Sequence, residues 1–278
     1  MTALAVLGPD GPVLQDPTAP VLRADDLGVL RGESAFETMR IAGGRTRYVD
    51  AHLRRLARSA ERLAIDLPAG VDRLVQTAEG AYDDSDGVLR VVVSKGVPGG
   101  RPAAFALAYP IAPETVRGRE QGVSAITLGL GVSAGMRASA PWLLGGVKAT
   151  SYAVNMASLR YAQEQGAEDA IWLSSDGEVL ESPTSSVAWV TGGTLVTPPA
   201  AEVAILPGTT VDVALTLLAT PYVVRRGTAT ELAAADEVLL LSSVRGIAPV
   251  TSLDGRTLPV GPVTAQLREA FEAALLLG

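Results

Sequence analysis

The sequence predicts an α+β protein of two domains, because strand and helix patterns succeed one another without a regular βαβ repeat. Three observations support this prediction. Segment 50–66 has apolar residues at helical spacing. The pairs Asp176-Gly177 and Gly192-Gly193 each separate two strand-like runs, which is the pattern of a hairpin. Segment 111–121 is polar and aperiodic, so we place the domain boundary there.

The first domain is predicted as a small α/β unit over residues 1–110. The segments LAVLG and PVLQ indicate short strands, and Asp50 is a plausible N-cap for the helix over 50–66. A second helix is expected after Pro68. Two further strands, VLRVVVSKG and AAFALAYPI, are joined by the loop VPGGRP.

The second domain is predicted over residues 122–278, after a linker at 111–121, and is expected to be larger. It opens on the strand VSAITL, followed by a helix that ends at Gly166, a residue type common at helix ends. The two hairpins come next. A helix then follows the turn in ILPGTT, EVLLLSS forms a buried strand, and PVTAQLREAFEAALLL forms a closing amphipathic helix.

Composition excludes several classes of function. The net charge is −7 and no basic cluster occurs, which argues against a nucleic-acid partner. The N-terminus lacks the pattern of a signal peptide, and no run of 18 apolar residues indicates a membrane span. A cytoplasmic protein without a membrane partner is therefore expected.

Cysteine and histidine usage excludes further chemistry. The chain has no cysteine and one histidine, His52, so neither a disulfide nor a Cys- or His-rich metal site can be built, and no metal is expected. A Ser-His-Asp hydrolase would need His52 as its base, yet no G-x-S-x-G motif occurs. We interpret His52 as a residue near the helix start with a structural hydrogen bond.

Four features of the second half indicate cofactor chemistry when they are taken together. Lys148 lies among apolar and small residues, and a desolvated lysine can condense with an aldehyde. Glu181 ends a hairpin strand, where its carboxylate could face a pyridinium nitrogen. The segment LPGTT opens a helix, whose N-terminus favours a phosphate, and SSVRG follows a buried strand. Each feature alone is equally consistent with a solvated lysine, a strand-end glutamate or an ordinary turn.

In order and spacing, seven segments resemble fold type IV pyridoxal-phosphate enzymes. That family includes branched-chain aminotransferases, D-amino acid transaminases and 4-amino-4-deoxychorismate lyases. The segments are RADDLGVLRGESAFETMR, AHLRRLARSAERL, VLRVVVSKGVPGGR, GVKATSYAVNMASLRYA, DGEVLESPTSSVAWV, ILPGTTVDVAL and DEVLLLSSVRGIAPV. The resemblance implies pyridoxal 5′-phosphate between two domains, and a homodimer.

The resemblance also implies roles for individual residues. Lys148 would bond covalently to the cofactor aldehyde and later carry protons, and Glu181 would pair with the ring nitrogen. Tyr152 would lie beside the ring, although packing in a helix core is an equal alternative. The phosphate would be held by Arg55, Thr209, Thr210 and a hydroxyl of Ser242 or Ser243. For Arg55 the helical wheel predicts a solvated side chain, and we follow the resemblance.

The loop that ends in Gly-Gly-Arg most resembles the lyases, which predicts release of 4-aminobenzoate and pyruvate from an amino substrate. Thr38 is then a candidate to protonate the leaving group, and Phe36 and Arg101 are candidates to bind the substrate. D-amino acid transaminases carry a histidine two residues after the loop arginine, where this chain has Ala103, so D-amino acid specificity is not expected. The alternatives are a branched-chain or related aminotransferase and a non-catalytic binding protein on this fold.

Overall fold

The computed structural model describes residues 2–277, which form two compact units. The first unit comprises the chain up to Ala112 together with Val147–Tyr152. The second comprises Pro113–Gly146 and Ala153–Leu277. Met1 and Gly278, which the predicted domains include, lie outside the described residues.

The first unit contains a six-stranded sheet and three helices among the described residues. The strands are β1 (Ala3–Gly8), β2 (Gly11–Gln15), β3 (Ser34–Ala42), β4 (Arg45–Thr46), β5 (Asp86–Ser94) and β6 (Ala103–Tyr109). The helices are α1 (Leu27–Leu30), α2 (Val49–Arg62) and α3 (Val71–Gly80). The sheet order is β2-β1-β6-β5-β3-β4, and all of its neighbouring strands are antiparallel.

Strand β3 is the element that positions the first group of functional side chains. Because side chains alternate along a strand, Phe36 and Thr38 share one face and Glu37 lies on the other. Helix α2 packs against β3, and the Glu37 carboxylate meets residues of that helix. Thr38 pairs with Arg90 of β5 across the ladder.

A segment that lies far along the chain extends this sheet. Strand β4 pairs only with the Ile41–Ala42 end of β3. At the other end, the Phe36 N–H donates to the Lys148 carbonyl at 3.0 Å, and Thr150 N–H donates to the Ser34 carbonyl at 2.9 Å. The main chain of Lys148 is therefore fixed to β3 by ladder hydrogen bonds.

The second unit has eight strands and seven α-helices within the described range. The strands are β7 (Val123–Gly129), β8 (Asp169–Leu173), β9 (Ser186–Thr191), β10 (Thr194–Thr197), β11 (Tyr222–Val224), β12 (Glu237–Ser242), β13 (Gly246–Leu253) and β14 (Arg256–Thr257). The helices are α4 (Pro113–Gln121), α5 (Ala134–Ser139), α6 (Ala153–Glu164), α7 (Ala200–Val203), α8 (Thr209–Leu217), α9 (Ala229–Ala233) and α10 (Pro262–Leu277), with a 3₁₀ turn at Pro141–Leu143.

The strand order of this sheet is β11-β10-β9-β12-β13-β7-β8, with β14 paired to β13. Strands β7 and β8 and strands β7 and β13 run parallel, whereas β9, β12 and β13 form antiparallel pairs. Trp189, Leu240 and Val250 belong to the buried core cluster. This mixture of pairings fits the α+β class rather than a parallel βαβ sheet.

Both predicted hairpins are confirmed. Strands β9 and β10 are joined through Gly192 and Gly193, which have φ values of 56° and 75°. A two-residue turn with both values positive is the type I′ turn that glycine favours. In the other hairpin, Gly177 has φ of 80° and Leu173 bridges to Val179.

One local prediction was wrong, and one helix carries no hydrophobic signal in the sequence. The N-cap of α2 is Tyr48, in the left-handed region at φ 55°, and Asp50 lies in the first turn, where its charge favours the helix dipole. Segment 111–121 contains α4, although it has no apolar periodicity. The one buried residue of α4 is Gly118, which lies near Val123. Because glycine has no apolar side chain, the buried face of α4 leaves no hydrophobic pattern in the sequence. No helix within residues 2–277 is long and apolar enough to span a membrane.

Candidate active site

The amine of Lys148 lies against two aromatic rings in the first unit. Its Nζ atom is 4.5 Å from the centre of the Phe36 ring and 5.8 Å from that of Tyr152. The two rings pack edge to face, with centres 5.4 Å apart. The main-chain N–H of Lys148 donates a hydrogen bond to Ser59 Oγ at 3.2 Å. Three predicted site residues, Phe36, Tyr152 and Lys148, thus lie together, and the lysine is half-buried.

Thr38 lies on the same face of β3 as Phe36. Arg90 of β5 donates from Nε to Thr38 Oγ1 at 3.3 Å, and its guanidinium carbon lies 5.5 Å from the Phe36 ring centre. Since Thr38 Oγ1 accepts this hydrogen bond, the hydroxyl proton of Thr38 points away from Arg90. Arg90 is exposed and is the one charged residue inside the run VLRVVV. Arg90 was not predicted as a site residue, although an arginine inside an apolar strand is a visible signal.

The opposite face of β3 carries a buried ion pair. Glu37 accepts hydrogen bonds from Arg55 Nε at 2.6 Å and from Arg55 Nη2 at 2.7 Å. His52 Nδ1 lies 2.7 Å from a Glu37 carboxylate oxygen. Arg55 is only 4% exposed, so the solvated position predicted by the helical wheel is wrong. The buried face of α2 includes His52, Arg55 and Ser59 as well as Leu56 and Ala60.

The pKa values of this cluster follow from burial and from the ion pair. Burial raises the pKa of Glu37, but the hydrogen bonds from Arg55 and His52 outweigh it and lower the pKa to about 2. Burial lowers the pKa of His52, and the opposing hydrogen bond to Glu37 does not reverse the shift. The charges of Arg55 and Lys148 lower it further. His52 is therefore a neutral donor to a carboxylate, which confirms the interpretation as a structural histidine.

Glu181 follows the second arm of the Asp176-Gly177 hairpin in the second unit. One of its carboxylate oxygens accepts from the Leu206 N–H at 3.1 Å, and the other accepts from Arg137 Nη2 at 3.3 Å. Arg137 also donates to the Ala204 carbonyl at 2.8 Å. These donors fix the orientation of the Glu181 carboxylate. Arg137 was not predicted from the sequence, because its partner lies 44 residues away.

The start of α8 has the form expected for an anion site. Thr209 and Thr210 are buried at the first positions of the helix, and Gly208 is the N-cap. A Cβ atom on Gly208 would lie 2.4 Å from Ser186 Oγ, so only glycine fits without a shift. Backbone N–H groups and the helix dipole at such a start favour a phosphate.

The remaining predicted residues lie on turns and loops. Ser242 ends β12 and Ser243 follows it in the turn to β13, and both are half-buried. Arg101 is exposed in the loop between β5 and β6 of the first unit. The predicted phosphate contact of Ser242 or Ser243 and the predicted substrate contact of Arg101 stay predictions.

Taken unit by unit, the residues present fit pyridoxal 5′-phosphate. The cofactor needs a primary amine, a carboxylate for its ring nitrogen and donors for its phosphate. Lys148 lies beside two aromatic rings, the Glu181 carboxylate accepts hydrogen bonds from Leu206 and Arg137, and α8 begins at Gly208, where a larger residue would need Ser186 to shift. No group of three acidic or histidine side chains that could hold a metal ion occurs among residues 2–277.

Comparison with known proteins decides the family. The family model for amino-transferase class IV matches residues 34–253. The chain belongs to the class IV aminotransferase family. A bifunctional aminodeoxychorismate lyase / D-amino acid transaminase from Mycobacterium tuberculosis is 39% identical over 96% of this chain and 97% of its own length.

Solved structures of class IV relatives share the fold. The PLP-bound form of a hypothetical aminotransferase from Mycobacterium tuberculosis has a TM-score of 0.92 at 36% identity, covering 100% of this chain and 99% of its own. A fold IV-transaminase, CpuTA1, from Curtobacterium pusillum has a TM-score of 0.91 at 33% identity, covering 98% of both chains. The protein is therefore a two-domain fold type IV enzyme, and its cofactor is pyridoxal phosphate.

Proposed function

We propose that this class IV enzyme is a 4-amino-4-deoxychorismate lyase, which forms 4-aminobenzoate and pyruvate for folate biosynthesis. One observation carries the proposal: the chain is 39% identical, over nearly its full length, to a relative named for this lyase activity. The Gly-Gly-Arg loop at 99–101 is the sequence feature that agrees with it.

Lys148 is the proposed catalytic residue. Bound pyridoxal phosphate supplies a conjugated ring that delocalises the electron pair left when a C–H bond of the substrate breaks. Lys148 would hold the cofactor covalently, and its Nζ, once freed by the substrate amine, would accept the proton from the amine-bearing carbon. The main-chain bonds of Lys148 to β3 restrict where that amine can reach.

Glu181 is proposed to face the ring nitrogen. Its carboxylate accepts from Arg137 and Leu206, and both donors stabilise the charge that would keep a pyridine nitrogen protonated. Arg55, Thr209, Thr210 and a hydroxyl of Ser242 or Ser243 are proposed to hold the phosphate. Glu37 fixes the Arg55 guanidinium through two of its five N–H donors.

Four residues of the first unit are proposed to act on the substrate. Arg90 and Arg101 are both exposed guanidinium groups, and each is a candidate for one of the two substrate carboxylates. Phe36 supplies an apolar surface beside Lys148 and Arg90. Thr38 is the candidate donor of a proton to the leaving enolpyruvate, since Arg90 already occupies its acceptor side. Loss of enolpyruvate makes the six-membered ring of the substrate aromatic, and this gain in stability favours product formation.

Transamination is the second candidate. The relative from Mycobacterium tuberculosis is also named for D-amino acid transaminase activity, so this specificity competes with the branched-chain one. The absence of a histidine at Ala103 remains an argument against it. Both candidates use the same cofactor residues. In the lyase reaction the amine stays on the 4-aminobenzoate product, whereas in transamination it passes to a keto acid.

A paired substrate assay separates the candidates. The holoenzyme is incubated with aminodeoxychorismate while 4-aminobenzoate is measured, and separately with D-alanine or leucine plus 2-oxoglutarate. The proposal predicts 4-aminobenzoate that is lost in Lys148→Ala. Turnover of either amino acid without any 4-aminobenzoate would overturn the lyase assignment and favour the transaminase.

We also propose that the enzyme works as a cytoplasmic homodimer. Large apolar side chains are exposed on the surface of α6, where Val154, Met156 and Tyr161 lie, and Trp142 is exposed before it. Such a surface is typical of a subunit contact. Sedimentation of the holoenzyme would show twice the chain mass of 28.6 kDa if the proposal is right, and that single mass if it is wrong.

A further inference from the structure

The loop that follows Glu181 is held by a buried ion pair that the proposed chemistry does not use. Asp169, at the start of β8, is 1% exposed. One of its carboxylate oxygens accepts from Ser182 Oγ at 2.8 Å, and the other accepts from Arg245 Nη2 at 2.7 Å. The same Arg245 nitrogen donates to Ser185 Oγ at 2.9 Å. Ser182 and Ser185 are also joined through their main chains at 2.8 Å.

Arg245 reaches this loop from a separate part of the unit. It lies in the turn between β12 and β13, two residues after Ser243. The turn that offers Ser243 to the proposed phosphate site and the loop that carries Glu181 are therefore tied together by one guanidinium. A third contact supports the loop from α6, where Asn155 donates to the Pro183 carbonyl at 2.6 Å.

We propose that Arg245 is a positioning residue of the cofactor site. By binding Asp169 and Ser185 it fixes the 182–185 loop, and with it Glu181, at a set distance from the Ser243 turn. This inference rests on the proposed roles of Glu181 and Ser243. Arg245 does not touch the reacting atoms in this account, so its removal acts on cofactor affinity and on the environment of the ring nitrogen.

The charge balance of the pair decides how it should be tested. Removing Arg245 alone would leave the Asp169 carboxylate buried without its cation, which is strongly destabilising. Replacing both charges by neutral residues of similar size is often tolerated. The double variant Asp169→Asn/Arg245→Met therefore removes the ion pair without leaving a buried charge behind.

The experiment measures three properties of this double variant: the melting temperature of the apoprotein, its dissociation constant for pyridoxal 5′-phosphate, and the pH dependence of the visible band of the holoenzyme. We expect an affinity about tenfold weaker, the lower end of the range seen for residues that orient metal ligands. We also expect the pH midpoint of the band to shift, with the melting temperature close to wild type. Wild-type affinity together with a wild-type band would overturn the proposal.

Two further variants keep the test decisive. Ser185→Ala retains the ion pair and so preserves the fold; it should weaken cofactor binding in the same direction, and wild-type affinity and band here would also overturn the proposal. Arg117→Met/Glu168→Gln removes an exposed ion pair next to Asp169 in the sequence and should leave affinity and band unchanged. An equal effect in this control would show a general response to charge loss and would overturn the specific role of Arg245.

Glu181→Gln, measured in parallel, separates this inference from the proposed function. If Glu181→Gln leaves the affinity and the band unchanged, the assignment of Glu181 to the ring nitrogen fails. If Glu181→Gln changes both while the Asp169/Arg245 double variant does not, only the role of Arg245 fails.

Discussion

The carboxylate of Glu37 binds the guanidinium of Arg55 through two hydrogen bonds, with both side chains buried between β3 and α2. A bidentate pair of this kind fixes the plane of the guanidinium. Because Arg55 is the proposed phosphate ligand, Glu37 determines how its remaining N–H groups are directed.

Glu37→Gln should remove most of the pH dependence that the Glu37–Arg55 pair gives to the free energy of unfolding. The pKa of Glu37 falls from 4.5 to about 2 on folding, so its stabilisation is complete above about pH 5 and is lost as the pH falls toward 2. A shift of this size corresponds to about 3 kcal/mol. Urea unfolding of the two proteins should give curves that converge in acid; free energies that stay parallel from pH 7 to pH 3 would refute the prediction.

Thr38→Val should lower the lyase kcat by about 100-fold, the lower range for general acid catalysis, with little change in KM. The variant keeps the shape of the side chain and removes only its hydroxyl. Thr38→Ser is the matched control and should retain most of the activity. Equal rates for Thr38→Val and wild type would show that another group protonates the leaving enolpyruvate.

Arg90→Met should raise KM about tenfold for aminodeoxychorismate, because a charge-assisted hydrogen bond to a carboxylate contributes about 1.5 kcal/mol or more. The control is Arg54→Met, which removes an exposed arginine on the outer face of α2. Steady-state kinetics on both variants checks the prediction. An unchanged KM for Arg90→Met would leave Arg101 as the remaining candidate anchor.

Gly208→Ala should weaken cofactor binding and lower the melting temperature, since the new Cβ would lie 2.4 Å from Ser186 Oγ. Adding Ser186→Ala removes that oxygen and should restore much of the stability. Thermal melts of the apoproteins and cofactor titrations compare the single and the double variant. A double variant no better than Gly208→Ala would show that the collision is not the cause.

The strands, the hairpins and most helices could be predicted from the sequence because their signals are local. Alternation and turn residues predicted β9, β10 and their Gly192-Gly193 turn. Helix α4 was missed because its buried position is a glycine, which carries no hydrophobic period.

The polar partners of the candidate site could not be predicted, because each contact joins distant parts of the chain. Arg55 is 18 residues from Glu37, and Arg245 is 76 residues from Asp169. The helical wheel predicted an exposed Arg55 because it assigns every charged residue to the solvent side. The Glu37 carboxylate of β3 neutralises the Arg55 charge and so allows its burial. The resemblance to fold type IV enzymes selected Arg55 when the periodicity argued against it.

Lys148 is proposed to hold the cofactor covalently, and this bond can be located because the chain contains two lysines, Lys95 and Lys148. Lys95 is paired with Glu33 and serves as the internal control. The holoenzyme is treated with borohydride, which fixes the carbon–nitrogen bond, and the modified peptide is identified by mass spectrometry. We expect the pyridoxyl mass on Lys148 alone; modification of Lys95 instead, or of neither lysine in a cofactor-saturated enzyme, would refute the assignment of Lys148.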